Sequence, residues 1–419
     1  MILLTDATYI DYQTLEIKKC DILVTNGNIE FHPPKTYKGN ATETINCSGK
    51  LVTHSFTVGH HHAYSALARG MGAPKKSPEN FYEILKYVWW TLDKCLTREM
   101  VEFSGLVTAI ACAKAGATFV IDHHASPYAV DGSLSILAKA FEKVGLSHLL
   151  CYEISDRDGE AIARQGLEET DSYLKNHQGL VGLHASFTLS DNTLRAAANL
   201  MQKHNSGVHI HVAEDKFDQQ HCHETFGKSV VERLSSFGYL SSGKSILVHC
   251  LHLTDHERNL IGQSPCWVAQ NADSNLNNNV GYFSSKNLGD NIMLGTDGMH
   301  SDMLQSMKSA YFVGQNFDPM SPTQAYKRLR NAHRYIAQNG FNGDGPDNLV
   351  VLNYDSPTPV TPENLAGHFV YGINQTHIEH LISNGKLILK NRKIITVDEE
   401  VILKESQKLA LALWERMRG

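Results

Sequence analysis

Residues 51–71 read LVTHSFTVGHHHAYSALARGM, an apolar run that ends in a glycine and three consecutive histidines. In a strand, residues i and i+2 share a face, so His60 and His62 project to one side and His61 to the other. Taking 51–60 as the first, eight short apolar runs follow one another. The others are 117–124 (ATFVIDHH), 146–153 (LSHLLCYE), 180–187 (LVGLHASF), 207–213 (GVHIHVA), 245–250 (SILVHC), 266–271 (CWVAQN) and 291–297 (NIMLGTD). Amphipathic stretches separate them, such as 97–115 and 190–204, with Thr97 and Ser190 placed as N-caps. Strand–helix alternation repeated eight times predicts an α/β protein with a parallel sheet closed into a (β/α)₈ TIM barrel. An open doubly wound sheet is disfavoured, because no run is followed by a GxGxxG turn.

The two ends read differently. DILVTNGNIEF (21–31) and HLISNGKLILK (380–390) each set an Asn-Gly between apolar runs, the signature of a tight hairpin. Residues 1–50 and 347–419 are therefore expected to pair into one small β-sandwich built from both termini, with a final helix over ESQKLALALWERM. The barrel takes residues 51–346. A chain of 419 residues suits one large domain plus a smaller one.

Composition narrows the function class. With 38 basic and 44 acidic residues, the net charge is −6, and no basic stripe offers itself to nucleic acid. No run of about 18 apolar residues marks a membrane span, and the first residues read as a strand rather than a leader. The eight cysteines are scattered singly, without a CxxC pair, and are expected to be buried reduced thiols of a cytoplasmic protein.

The chemistry gathers at strand ends. His60 and His62 form a bidentate seat for a metal, and His211 in HIHVAED adds a third imidazole, the usual nitrogen set of catalytic zinc. Asp297 in LGTDGMHSD can touch both the metal and its bound water and take that water's proton. His249 ends the sixth run, poised to polarise an atom that develops negative charge. Any one of these alone is more often a cap or a satisfied core group. The ends of the first, fifth, sixth and eighth strands, however, converge on one face of a barrel. His221 and His223 repeat the HxH spacing in a polar helical or loop stretch and read as surface residues.

The order HxH, HxxE, strand-six His, TDG resembles the amidohydrolase superfamily, in its mononuclear deaminase and triazine-hydrolase branch. YVWWTLDK, VIDHHASP, CYEISDRDG, NNNVGY, LGTDGMHSDM and NYDSPTPVTPENLAGH extend the likeness, close to the SsnA-type aminohydrolases, over nearly the whole chain. The resemblance implies His60, His62, His211 and Asp297 as metal ligands, Glu214 as proton shuttle and His249 beside the attacked carbon. It also implies a barrel carrying a β-sandwich from both termini. The fourth run contains no lysine, so one divalent ion per chain is expected, most simply zinc, with iron or manganese compatible with the same ligands. His184 and one of the pair His123/His124 are expected to contact substrate, and His124 is taken as the inward one. The sequence departs from the family where His54-Ser55 replaces a Pro-Gly and where Gln270 and Asp273 replace His and Arg. The segment NGFNGDGPDNL is also short.

The implied activity is a metal-dependent aminohydrolase, a deaminase acting on a non-peptide C–N bond. Its substrate would be an amino-substituted heterocycle such as a purine or pyrimidine, attacked by metal-bound hydroxide. A triazine-type chlorohydrolase and a catalytically silent barrel acting as an interaction protein are the alternatives. The expected partner is a small molecule, with no nucleic acid and no membrane, and a homodimer is the candidate assembly.

Overall fold

The computed structural model describes residues 1–418. The chain opens with β1 (Ile2–Ile10), β2 (Ile17–Thr25), β3 (Asn28–His32), β4 (Glu43–Asn46) and β5 (Leu51–His54). Then come β6 (Phe56–His61), β7 (Ala117–His124), β8 (Ser147–Tyr152) and β9 (Val181–Ala185), followed by β10 (Val208–Val212), β11 (Ile246–His249), β12 (Trp267–Gln270) and β13 (Ile292–Leu294). It closes with β14 (Leu349–Leu352), β15 (Ile378–Ser383), β16 (Lys386–Lys390), β17 (Lys393–Ile394) and a helix over Glu399–Arg418.

Strands β6–β13 pair in parallel and in chain order, as β6-β7-β8 and as β9-β10-β11-β12-β13. Parallel bridges His61–Asp297, Leu150–Gly179 and Ile154–Leu183 join the two sheets at both edges. Helices follow the strands, among them Arg98–Lys114 and Asp191–Lys203, capped by the Thr97 and Ser190 side chains as the sequence suggests. Phe119, Ile121, Leu149, Cys151, Ile246, Val248, Trp267 and Met293 pack together as one buried cluster with Tyr335. Fully burying one such aliphatic or aromatic side chain stabilises by about 1.5–3 kcal/mol. This apolar plug rigidifies the strands whose C-terminal ends carry the polar groups described below.

The terminal strands form a nine-stranded sheet in the order β17-β16-β15-β14-β5-β1-β2-β3, with β4 beside β1. Both Asn-Gly pairs turn hairpins there: Asn26-Gly27 links β2 to β3, and Asn384-Gly385 links β15 to β16 with φ of 47° and 69°. Two positive φ values suit the turn whose twist matches that of its strands. This sheet has its own core of Ile2, Leu4, Ile22, Val24, Val52, Leu349 and Ile382.

One boundary moves. The run 51–60 is not a single strand but breaks at Ser55, so that β5 pairs with β1 and β14 in the terminal sheet while β6 pairs with β7. The cause is Arg330, whose buried guanidinium donates to the carbonyls of His54 (3.1 Å) and Ser55 (2.7 Å) and holds the bend. The last helix lies against the helical layer, with Leu413 buried and Trp414 Nε1–H donating to the Leu67 carbonyl. Among the described residues no helix is long and apolar enough to cross a membrane.

Candidate metal centre

Four ligand atoms, one each from His60, His62, His211 and Asp297, lie within 4.8 Å of one another. His60 and His62 come from the end of β6, His211 from β10, and Asp297 from the turn after β13. His62 Nε2 is 3.1 Å from His211 Nε2 and 3.0 Å from Asp297 Oδ1, and His60 Nε2 is 3.4 Å from the same oxygen. Ligands about 2.0–2.1 Å from a tetrahedral ion stand roughly 3.3–3.4 Å apart, so the spacing is that of a coordination shell.

The far sides of the three imidazoles fix their tautomers. His62 Nδ1–H donates to the His123 carbonyl (2.7 Å) and His211 Nδ1–H to the His184 carbonyl (2.9 Å), while His60 Nδ1 meets His209 Nε2 at 2.8 Å. Each Nε2 is thereby left with its lone pair toward the common centre, as a metal-ligating histidine requires. His60 Nε2 is buried and has no hydrogen-bond partner among the described residues, a lone pair that a divalent ion would engage. The residues present therefore fit one divalent cation.

Asp297 is buried, yet His60 and His62 outweigh that burial and hold its carboxyl well below the usual range. Its second oxygen accepts the Ser274 hydroxyl. Glu214 lies beside it, and burial together with the Asp297 charge pushes the Glu214 carboxyl well above its usual value. Glu214 Oε2 is 3.3 Å from His249 Nε2. Asn275 donates to His249 Nδ1 (2.8 Å), so His249 carries its proton on Nε2, a buried atom that completes no hydrogen bond among the described residues. Burial lowers the His249 imidazole to about 4. His249 and Asp297 both adopt left-handed backbone, with φ of 69° and 51°. Such φ values are uncommon for residues other than glycine and cluster at functional sites.

A cavity of about 70 Å³ opens over these groups, lined among others by His62, His184, His211, Glu214, His249 and Asp297. Phe81, Leu85, Trp89 and Trp90 form its apolar wall.

Of the two histidines expected at the substrate, His184 lines the cavity and its Nδ1 meets Thr188 Oγ1 at 2.8 Å. His124 does not. The inner face of β7 runs through Phe119, Ile121 and His123, so it is the His123 ring that stands within 4.8–5.3 Å of His211, His209 and His62. The His124 ring points the other way, toward Ser126 and Tyr152. Gln270 and Asp273 also turn away from the cavity: Gln270 accepts from Arg328, and Asp273 accepts from Ser309 and faces His300. His221 and His223 lie on the helix Lys216–Phe226, half-buried and exposed.

Sequence reasoning missed Glu153, His209, Ser274 and Asn275. Glu153 directly follows β8 and lines the cavity, with Oε1 2.5 Å from Arg157 Nη1 and Oε2 3.3 Å from His123 Nδ1. Burial opposes its charge, but His184, Arg157 and His123 hold its carboxyl well below the usual range. Its place at the C-terminal end of a strand run was the one available signal.

A parallel α/β scaffold carrying three imidazoles and one carboxylate at its strand ends defines a metallohydrolase-like protein. Residues 55–328, well over half of the chain, match the Amidohydrolase family, and the chain belongs to that family. It is 28% identical over 418 residues to a 5-methylthioadenosine/S-adenosylhomocysteine deaminase of Aquifex aeolicus, covering 93% of each chain. In fold it is similar to a zinc-bound adenosine deaminase from Xanthomonas campestris, with a TM-score of 0.83, 17% identity and coverage of 100% and 98%. It is likewise similar to the zinc complex of an atrazine chlorohydrolase from Arthrobacter aurescens, with a TM-score of 0.81, 16% identity and coverage of 98% and 100%.

Proposed function

We propose that the protein is a mononuclear metal-dependent aminohydrolase that releases ammonia from an amino-substituted heterocycle. The scaffold is read as a (β/α)₈ barrel of β6–β13 carrying a β-domain made by both termini, and the ion as zinc. One observation carries the reading: the Glu214 carboxyl, which burial and the Asp297 charge push above its usual range, and the His249 imidazole face one cavity beside the Asp297 carboxylate. Chloride leaves unaided, whereas loss of an amine needs protons delivered to the ring nitrogen and to the leaving nitrogen, and Glu214 and Asp297 stand where they can carry them.

His60, His62, His211 and Asp297 would hold a divalent ion, which when bound would make water a competent nucleophile at neutral pH. Asp297 accepts one proton as water adds to the ring carbon. Glu214 gives its proton to the adjacent ring nitrogen. His249 Nε2–H donates to the atom on which negative charge develops. Asp297 passes its proton to the amino group, which leaves as ammonia, and Glu214 recovers a proton from the new hydroxyl as the carbonyl forms. Water and amine are consumed, and carbonyl compound and ammonia are produced. The raised pKa of buried Glu214 suits a standing donor.

The test offers matched amino- and chloro-heterocycles to the zinc-reconstituted protein and measures ammonia and chloride. Ammonia release with the larger kcat/KM is expected. Chloride outrunning ammonia would overturn the deaminase reading and leave the metal centre standing.

A further inference from the structure

The cavity is lined by three carboxylates, Glu153, Glu214 and Asp297, and by no lysine or arginine. Asp297 and Glu214 have the roles given above, which leaves Glu153 without one. Its carboxylate is 4% exposed and lies within 4.8 Å of a ring nitrogen of His184 and of His211, directly beside the metal-ligand cluster. Arg157 stands behind it. The Arg157 guanidinium is engaged by Asp93, Glu153 and Asp158 and is 7% exposed, so it braces the glutamate and offers nothing to a ligand. Oε1 is taken by that brace. Oε2 lies 3.3 Å from His123 Nδ1, an atom that finds no hydrogen bond among the described residues, so Oε2 keeps accepting capacity toward the cavity.

Size adds a second constraint. A cavity of about 70 Å³ is smaller than the ~150 Å³ void that holds a single benzene ring. A one-ring or fused two-ring heterocycle therefore enters only as the aromatic wall of Phe81, Trp89 and Trp90 adjusts. A pentose adds bulk for which that wall must move further, and a phosphate or carboxylate would face Glu153 and Glu214 with no lysine or arginine in the lining to pair with.

Resting on the aminohydrolase reading, we infer that Glu153 is the specificity-determining residue of this site. It accepts a hydrogen bond from a ring or exocyclic N–H of the substrate and so selects a free amino-substituted base, neutral or cationic, over its riboside or phosphate. A purely structural Glu153 would brace Arg157 and His123 and leave substrate choice untouched.

The zinc-reconstituted protein is assayed for ammonia release from adenine, guanine and cytosine, from their ribosides and 5′-phosphates, and from ring-N-methylated forms of the base that turns over. Free bases are expected to exceed ribosides, and ribosides to exceed phosphates, in kcat/KM. Methylating the N–H that meets Glu153 should cost roughly 10–100-fold, the usual worth of a hydrogen bond to a charged group. Glu153→Gln should raise KM by a similar factor and flatten the discrimination between the base and its N-methyl form, with zinc content unchanged. If Glu153→Gln does not fold, the comparison of base, riboside, phosphate and N-methyl form on the unmodified protein decides alone. Ribosides or phosphates equalling the free base, or an N-methyl form turned over as well as its parent, would overturn the assignment and leave the aminohydrolase reading intact. No ammonia from any of these compounds would sink both.

Discussion

His209 Nε2 lies 2.8 Å from His60 Nδ1, and both rings are fully buried. The next contact outward is Cys151 Sγ, 3.5 Å from His209 Nδ1. His209 is thus the acceptor that keeps the His60 proton on Nδ1 and frees Nε2 for a metal. Replacing it with Phe fills the space and removes the acceptor. Affinity for zinc is expected to fall roughly 10–100-fold, the usual cost of losing such an outer partner. Competition with a chromophoric chelator measures this, and His209→Gln should recover part of the loss. Unaltered affinity in His209→Phe would leave His209 as packing only.

Glu214 and His211 separate proton transfer from metal binding. Glu214 stands 3.3 Å from His249 and is not among the four converging ligands. Glu214→Gln should retain the ion and lose turnover by roughly 10²–10⁴-fold, the range for a positioned acid–base group. His211→Ala should lose both ion and turnover. Full activity in Glu214→Gln would remove it as the proton donor.

The ligands could be read from the sequence because a strand fixes parity within itself: His60 and His62 share a face wherever β6 begins. Parity between two adjacent histidines is a different matter. HH at 123–124 satisfies alternation in either phase, and only the pairing of β7 with β6 and β8 puts His123 inside. The break at Ser55 was hidden for a related reason. Its cause is Arg330, some 275 residues away along the chain, and the apolar pattern runs through the bend unbroken. Glu153, Ser274 and Asn275 carry no spacing of their own and acquire meaning only from what they touch. Gln270 and Asp273 showed the reverse: their identities drew notice, and their side chains turn out to serve Arg328, Ser309 and His300.

Metal stoichiometry follows from β9. The family resemblance implies that a lysine on the fourth parallel strand bridges a second ion, and β9 reads VGLHA, with no lysine and with His184 Nδ1 at Thr188. The zinc-reconstituted protein should hold about one tightly bound ion per chain. Elemental analysis after exhaustive dialysis checks this, and two ions per chain would contradict it.

Acid should destabilise the fold well above the carboxylate range. Burial lowers the His124 imidazole to about 3 and the His333 imidazole to about 4, from an ordinary value near 6.5. Both are therefore neutral in the folded chain, and neither is among the four converging ligands. The unfolded chain binds a proton at each site once the pH drops below about 6.5, whereas the folded chain does not until about 4 or 3. Stability from these groups is complete above about 6.5 and is lost as the pH falls toward the folded values, at about 1.4 kcal/mol per histidine per pH unit. Asp344 acts with the same sign at lower pH. Burial works against its charge, but His333 and His54 hold its carboxyl below the usual range, so its contribution is present above about 4 and disappears on further acidification. Denaturant unfolding at pH 7.5 and 5.5 should show the midpoint falling with pH. His124→Gln, which keeps a hydrogen-bonding side chain beside Ser126 but cannot titrate, should shrink the difference by about one histidine's share. A midpoint that holds steady between the two pH values, or a His124→Gln slope equal to that of the unmodified chain, would show that these imidazoles are not held neutral by burial.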